Sequence, residues 1–251
     1  MTSQFEGKSA LITGAASGIG AATARWLAAQ GIARLVLVDQ DADGLGALNL
    51  PCPCELLAGN VADPALADEA EHYGPFDHAL INAGIAIGSP IEQESFEVWR
   101  QVMSVNLDGA FLMLRAAMRA IPGAGSIVLT SSVSASKAAP GTAAYGASKA
   151  ALIQLARVAA LEGAPRGLRV NAIAPGGVDT PIWEQTPFFR DLVVQHGGDR
   201  AAAIQAMASM ATPLGRYATA DEIAAQIGFL LSDAAATITG SVLLSDGGYS
   251  A

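Results

Sequence analysis

The sequence predicts an α/β fold, a single doubly wound parallel sheet of about seven strands with helices on both faces. Three observations lead there. Short apolar runs alternate with longer helical segments along the whole chain. The first run opens into a glycine-rich turn, and an aspartate closes the second. Finally, 51% hydrophobic and 15% charged residues over 251 positions describe a chain that buries one large core, so residues 1–251 are read as one domain.

Strands are expected at 9–13, 35–39, 55–58, 78–82, 126–130, 169–173 and 241–245. None is long enough to favour a helix, and most are bounded by Gly, Pro or Asp. A helix over 21–30 is ended by Gly31 at the C′ position, and one over 95–120 is followed by Pro122. Another covers 143–161. The last, 219–231, opens on a capping box of Thr219 with Glu222, and Asp221 also suits the positive end of that helix. No internal repeat, low-complexity tract or linker interrupts the pattern.

Composition excludes several classes of partner. The net charge of −9, with no cluster of Lys or Arg, argues against nucleic acid and against anionic membranes, which leaves a small molecule. The start, Met-Thr-Ser-Gln-Phe-Glu-Gly-Lys, lacks the features of a signal peptide, and no stretch approaches eighteen unbroken apolar residues, so a soluble cytoplasmic protein is expected. Cys52 and Cys54, in Pro-Cys-Pro-Cys, fit neither a zinc knuckle nor a Cys-x-x-Cys pair and read as reduced thiols. His72 and His78 have no Cys or carboxylate at ligand spacing, so surface or structural roles are expected and no metal site.

Two groups of residues carry chemistry. After the first strand comes Thr13-Gly14-Ala15-Ala16-Ser17-Gly18-Ile19-Gly20, where glycine lets a pyrophosphate approach the backbone and a helix N-terminus supplies free N–H groups. Asp39, nineteen residues beyond Gly20, can accept both adenosine ribose hydroxyls and would repel a 2′-phosphate. Ala15, Ala16, Ser17 and Gln40 offer no cation to such a phosphate, which points to NAD. A Lys-Ser/Thr pair after Gly20 is missing, so a P-loop nucleotide triphosphatase is not expected. In the second group, the spacing of Tyr145 and Lys149 places a phenol and an ammonium on one helix face. A cation roughly 4 Å from a phenol of pKa about 10 favours the phenolate by about 4 kcal/mol at an effective dielectric near 20. Ser132, thirteen residues before Tyr145, closes a strand that ends in hydroxyls and can stand beside it at the sheet's carboxyl edge.

The spacing Gly-x-x-x-Gly-x-Gly, together with Ser132, Tyr145 and Lys149, resembles the classical short-chain dehydrogenase/reductase family across essentially the whole chain. Asn82-Ala83-Gly84, Val105-Asn106 and the run from Asn171 through Pro175-Gly176 to Thr180 extend the resemblance. It implies a Rossmann-like fold and hydride transfer between nicotinamide and a carbinol or carbonyl carbon. It further implies Tyr145 as general acid/base, Ser132 as partner of the substrate oxygen, and Lys149 as the group that binds nicotinamide ribose and lowers the Tyr145 pKa. Asn106 would hold a water linking Lys149 to solvent. The cofactor set it implies begins with Gly14, Ser17, Gly18, Ile19 and Gly20 at the pyrophosphate and Asp39 at the ribose. Asn60 and Val61 fall by the adenine, Asn82, Ala83 and Gly84 along the adenosine side, and Pro175, Gly176, Val178 and Thr180 toward the carboxamide.

Two positions depart from the family's pattern: Asn60 stands where an Asp is frequent, and Ile81 replaces the first Asn of Asn-Asn-Ala-Gly. Residues 181–215, with Trp183, Phe188, Phe189, Arg190, His196 and Arg200, look like the family's variable lid over the substrate. The expected substrate is a secondary alcohol or ketone: a sugar, cyclic diol, hydroxysteroid or similar small molecule. Reduction of 3-oxoacyl thioesters and silent NAD(H) sensing are the alternatives. The resemblance also implies a homo-oligomer, a tetramer pairing the helices at 95–120 and 143–161.

Overall fold

The computed structural model describes residues 4–251. Among the described residues, nine strands run in chain order: β1 (Ser9–Thr13), β2 (Arg34–Asp39), β3 (Cys54–Ala58), β4 (His78–Ile81), β5 (Gly125–Thr130), β6 (Leu168–Pro175), β7 (Val178–Asp179), β8 (Ala218–Thr219) and β9 (Val242–Ser245). The helices are α1 (Gly18–Ala29), α2 (Ala42–Gly46), α3 (Pro64–His72), α4 (Phe96–Met103), α5 (Ala110–Ala120), α6 (Ala143–Gly163), α7 (Pro187–Gln195), α8 (Arg200–Ala211) and α9 (Ala220–Leu231).

Seven strands form one parallel sheet in the order β3-β2-β1-β4-β5-β6-β9, as the alternation of apolar runs and helices predicts. Alternate side chains feed two cores. Leu11, Val36, Ile127 and Leu129 meet one of them with Met113, Leu114 and Leu152, so α5 and α6 cover that face. Ile12, Leu35, Leu37 and Val128 meet the other with Leu27, Ile223 and Ile227, so α1 and α9 cover the opposite face. These two helices pack closely because Gly228 leaves room for the Trp26 ring, which a β-carbon there would meet at 2.3 Å.

All seven predicted strands are present, 9–13 with the same bounds and the other six with ends shifted by one or two residues. Asn82 falls outside β4 because its amide turns to the Thr13 and Gly14 carbonyls, 3.2 and 3.3 Å away. The capping box at Thr219 and Glu222 forms as expected, and Arg216 adds a bidentate pair on Glu222. The single helix expected over 95–120 is corrected: a π-helical turn, Ser104–Gly109, separates α4 from α5. The wider turn carries Asn106 inward, where Ile85 N–H donates to its Oδ1 at 2.8 Å and its Nδ2 donates to the Ile85 carbonyl at 3.0 Å. The short helices α2 and α3 were not expected, although Asp41 and Asp63 cap them and Pro64 opens α3. Nor was the small parallel pair of β7 with β8.

Among the described residues, no helix is long and apolar enough to cross a membrane. The apolar runs on α5 and α6 divide by face. Met113, Leu114 and Leu152 are buried under the sheet, whereas Phe111, Val158 and Leu161 are exposed.

Candidate functional site

The order of strands reverses between β1 and β4, and this is where an open parallel sheet leaves a crevice at its carboxyl edge. Thr13 and Asn82 knit the two sides together. The Thr13 hydroxyl accepts from the backbone of Asn82 at 2.9 Å and of Ala83 at 3.1 Å. Gly14 turns the chain with φ +65°, a region costly for any residue with a β-carbon. A β-carbon on Gly20 would stand 2.0 Å from the Gly14 carbonyl oxygen, so the first turn of α1 lies directly against the strand end. Ser17 is the N-cap of α1 without using its hydroxyl as a cap, and no acidic residue stands in that first turn. Free N–H groups, a spare hydroxyl and glycines at 14, 18 and 20 leave an open cradle of the kind that suits an anionic group.

Asp39 ends β2 beside this cradle. Its Oδ2 accepts from Ala16 N–H at 2.9 Å and its Oδ1 from Asp41 N–H at 3.1 Å, which fixes the carboxylate plane and leaves further acceptor positions open. Asn60, past the end of β3, accepts from Ala62 N–H at 3.0 Å in a local turn. Val61 is buried in the core, and Ile81 is the buried last residue of β4, which explains an apolar side chain there. Pro175 closes β6 beside Ser245 of β9, and Gly176 leaves room for the Asp246 backbone. Val178 and Thr180 are buried, and the Thr180 methyl faces Gly18 at 3.3 Å from where a β-carbon would sit.

The second group gathers past β5. Lys149 is 3% exposed, and its Nζ donates to the Thr130 carbonyl at 2.9 Å. That Nζ lies 5.6 Å from the centre of the Tyr145 ring. A β-carbon on Gly84 would meet Lys149 Nζ at 3.2 Å and Asn106 Oδ1 at 3.3 Å, so glycine at 84 lets both groups converge. Ser132 lies at the start of the next turn, its Oγ accepting from Ser134 N–H at 3.1 Å. The structure thus joins the four in a chain: Asn106 and Lys149 beside Gly84, the Tyr145 ring next to Lys149, and Ser132 hydrogen-bonded to Tyr145.

Electrostatics revises one expectation. Proximity of Lys149 was expected to favour the Tyr145 phenolate. Instead burial is the dominant influence and raises the Tyr145 pKa, while hydrogen bonding with Ser132 works the other way. The ring is enclosed by protein yet part of its surface stays open, so solvent moderates that rise. Burial likewise pulls Lys149 down to about 8. Both shifts have one cause, the cost of charge in a desolvated crevice.

Sequence reasoning missed the residues that hold this group in place. Ser131 Oγ donates to the Lys149 carbonyl at 2.7 Å and sets the register of α6 against β5. Ser148 accepts from Asn106 Nδ2 at 3.2 Å while donating to the Tyr145 carbonyl at 2.7 Å. Thr13 and Ser131 adjoin the recognised motifs, but only the pairing of distant strands reveals their partners. The lid residues separate as well. Phe189 is buried in a small lid core with Leu192, Ile204 and Met207, whereas Phe188 is exposed. Trp183 stacks on Tyr217 with ring centres 5.5 Å apart. His78 lies at the opposite edge of the sheet, buried against Ser126 and lowered by that burial to about 4. Cys52 and Cys54 are free thiols, and the described residues contain no cluster of three or more metal-ligating side chains.

A seven-stranded parallel sheet with a glycine cradle, an acidic residue ending β2, and a Ser-Tyr-Lys group past β5 defines a nucleotide-dependent oxidoreductase fold. The family model described as "Enoyl-(Acyl carrier protein) reductase" matches residues 14–250. The chain is 36% identical over 262 residues to a cis-4-hydroxycyclohexanecarboxylate dehydrogenase of Sinomonas cyclohexanicum, covering 100% of both chains. It is 40% identical to a galactitol 2-dehydrogenase (L-tagatose-forming) of Cereibacter sphaeroides, covering 98% of this chain and 96% of the relative. The crystal structure of L-sorbose reductase from Gluconobacter frateurii, complexed with NADPH and L-sorbose, superposes with a TM-score of 0.92 at 29% identity, covering 100% of this chain and 99% of the other. The chain belongs to the short-chain dehydrogenase/reductase family, classical type.

The buried ammonium makes a stability prediction. Lys149 has a folded pKa below its unfolded value, so below about pH 8 the native state carries the cost of a desolvated charge. Between pH 8 and about 10.5 the unfolded chain holds the proton and the native state does not, so stability contributed at this site rises with pH. Denaturant titrations of the ligand-free protein and of Lys149→Met are expected to show the variant's relative advantage shrinking by about 3 kcal/mol across that window. A gap independent of pH would refute the depressed pKa.

Proposed function

We propose that this protein is an NAD(H)-dependent oxidoreductase that interconverts a small secondary alcohol and its ketone. The observation that carries the proposal is the linked group of Asn106 and Lys149 beside Gly84, Tyr145 next to Lys149, and Ser132 bonded to Tyr145, at the same carboxyl edge as the glycine cradle. When bound, the nicotinamide donates or accepts the hydride. Tyr145 moves the proton at the substrate oxygen, and Ser132 holds that oxygen by a hydrogen bond. Lys149 holds the nicotinamide ribose and opposes, by its charge, the rise that burial imposes on Tyr145. Asn106, fixed by Ile85 and Ser148, orders a water that connects Lys149 with solvent.

Gly14, Ser17, Gly18, Ile19 and Gly20 take the pyrophosphate, and Asp39 takes the adenosine ribose. Support for NAD over NADP comes from Asp39, whose anchored carboxylate opposes a 2′-phosphate. Relatives that act on a polyol and on a cyclic alcohol support a free alcohol of one of these kinds as the substrate. The net charge of −9 disfavours an acidic carrier protein as the bearer of the substrate.

Tyr145→Phe keeps the ring and removes the proton. With NAD and a panel of polyols and cyclic alcohols, kcat is expected to fall about 10²- to 10⁴-fold; equal turnover in both proteins would overturn the role of Tyr145. For cofactor choice, Asp39→Ala combined with Gln40→Arg is expected to narrow or reverse the ratio of kcat/KM for NAD over NADP. An unchanged ratio would count against Asp39.

The exposed Phe111, Val158 and Leu161 on α5 and α6 support a homo-oligomer, with a tetramer as the proposed state. Light scattering at micromolar concentration is expected to give a multiple of the chain mass of 25.4 kDa. A monomer would remove this part of the proposal.

A further inference from the structure

Arg200 occupies the first helical position of α8, where a cation opposes the positive end of the helix dipole. Helix stability therefore does not explain it. Its guanidinium reaches back across the lid and donates to Glu184 Oε1 at 2.8 Å, Asp179 Oδ1 at 2.6 Å and the Thr180 carbonyl at 3.1 Å. The same group lies over the Phe189 ring, 5.8 Å from its centre. One planar fork thus joins α8 to β7, to the turn at Pro181–Gln185 and to the lid core.

Each of these pairs alone contributes little to global stability, since Arg200 is 38% exposed and water screens it. As a tie between movable segments the group counts for more, because swinging α8 away breaks all three hydrogen bonds together. Thr180 lies behind the tie, buried, with its methyl turned to Gly18 of the cradle. On its other flank the segment is already fastened: Val178 pairs with Ala218, and Trp183 Nε1 donates to the Val178 carbonyl at 2.7 Å. At residues 179 and 180, Arg200 supplies the side-chain hydrogen bonds that come from α8.

We propose that Arg200 is a positioning residue, a latch that holds the lid helices α7 and α8 against residues 178–180 and, through Thr180, sets how tightly the nicotinamide cofactor is retained. The link to cofactor rests on the functional reading above; the latch itself does not.

The test compares wild type, Arg200→Met, Arg200→Lys and Glu184→Gln with two readouts. The first is the rate of tryptic cleavage after Arg190, an exposed residue of α7, in protein without cofactor. The second is the Kd for NADH from its fluorescence. In Arg200→Met both cleavage rate and Kd are expected to rise about tenfold. Arg200→Lys, a cation without the fork, is expected to fall between, and Glu184→Gln to move both readouts the same way by less. Unchanged cleavage in Arg200→Met overturns the latch, and faster cleavage with unchanged Kd overturns its link to the cofactor. Should Arg200→Met fail to fold, Glu184→Gln decides by the same criteria. A wild type that binds no NADH overturns the functional reading and the link with it, while the cleavage rates still decide the latch.

Discussion

The buried ammonium of Lys149 is the constraint around which the carboxyl edge of the sheet is organised. A cation taken out of water is costly unless polar groups replace its hydration, and here the Thr130 carbonyl supplies one of those replacements. No described carboxylate forms an ion pair with it. Its neighbours follow from that. Position 84 is glycine where a β-carbon would crowd both Nζ and Asn106 Oδ1, and Ser131 holds the α6 backbone beside the end of β5 through the Lys149 carbonyl. Asn106, fully buried, must in turn find partners for its whole amide, and the widened π turn places it where Ile85 and Ser148 supply them.

The two faces of the sheet divide the work. The face covered by α1 and α9 carries the anion cradle, whose geometry comes from close backbone approach and a helix N-terminus. The face covered by α5 and α6 carries the Tyr-Lys pair, whose chemistry comes from desolvation. They meet at the switch between β1 and β4, where Thr13 binds the backbone of Asn82 and Ala83 across two distant parts of the chain. A single hydroxyl there ties the glycine turn after β1 to the segment that leads to Gly84, which lies beside Lys149 and Asn106. The segment after β7 reaches the same crevice from a third side, with Thr180 against Gly18.

Much of this was legible in the residues. The sheet could be read because its strands are short, apolar and bounded by breakers, and a strand buried on both faces leaves that mark whatever lies beside it. Helix α9 could be read because its capping box is local. The helix over 95–120 was misread because its apolar positions continue through the π turn, whose cause is Asn106 bonding to Ile85 twenty-one residues away. The interior of residues 181–215 could not be read from sequence: which aromatics pack inside and which stack at the edge depends on α7 and α8 meeting each other.

The sequence by itself determined the fold class, the seven strands of the main sheet, the glycine turn, Asp39 and the Tyr145–Lys149 spacing, because each is set by local patterning within a few residues. Tertiary structure alone decided the protonation balance of Tyr145 and Lys149, the placement of Thr13, Ser131 and Ser148, and the partners of Arg200. The physical reason is the same in each case. Desolvation and hydrogen bonding act between groups far apart in the chain, and their sign depends on what surrounds a side chain after folding: for Tyr145, enclosure raises the pKa that the spacing to Lys149 alone would lower.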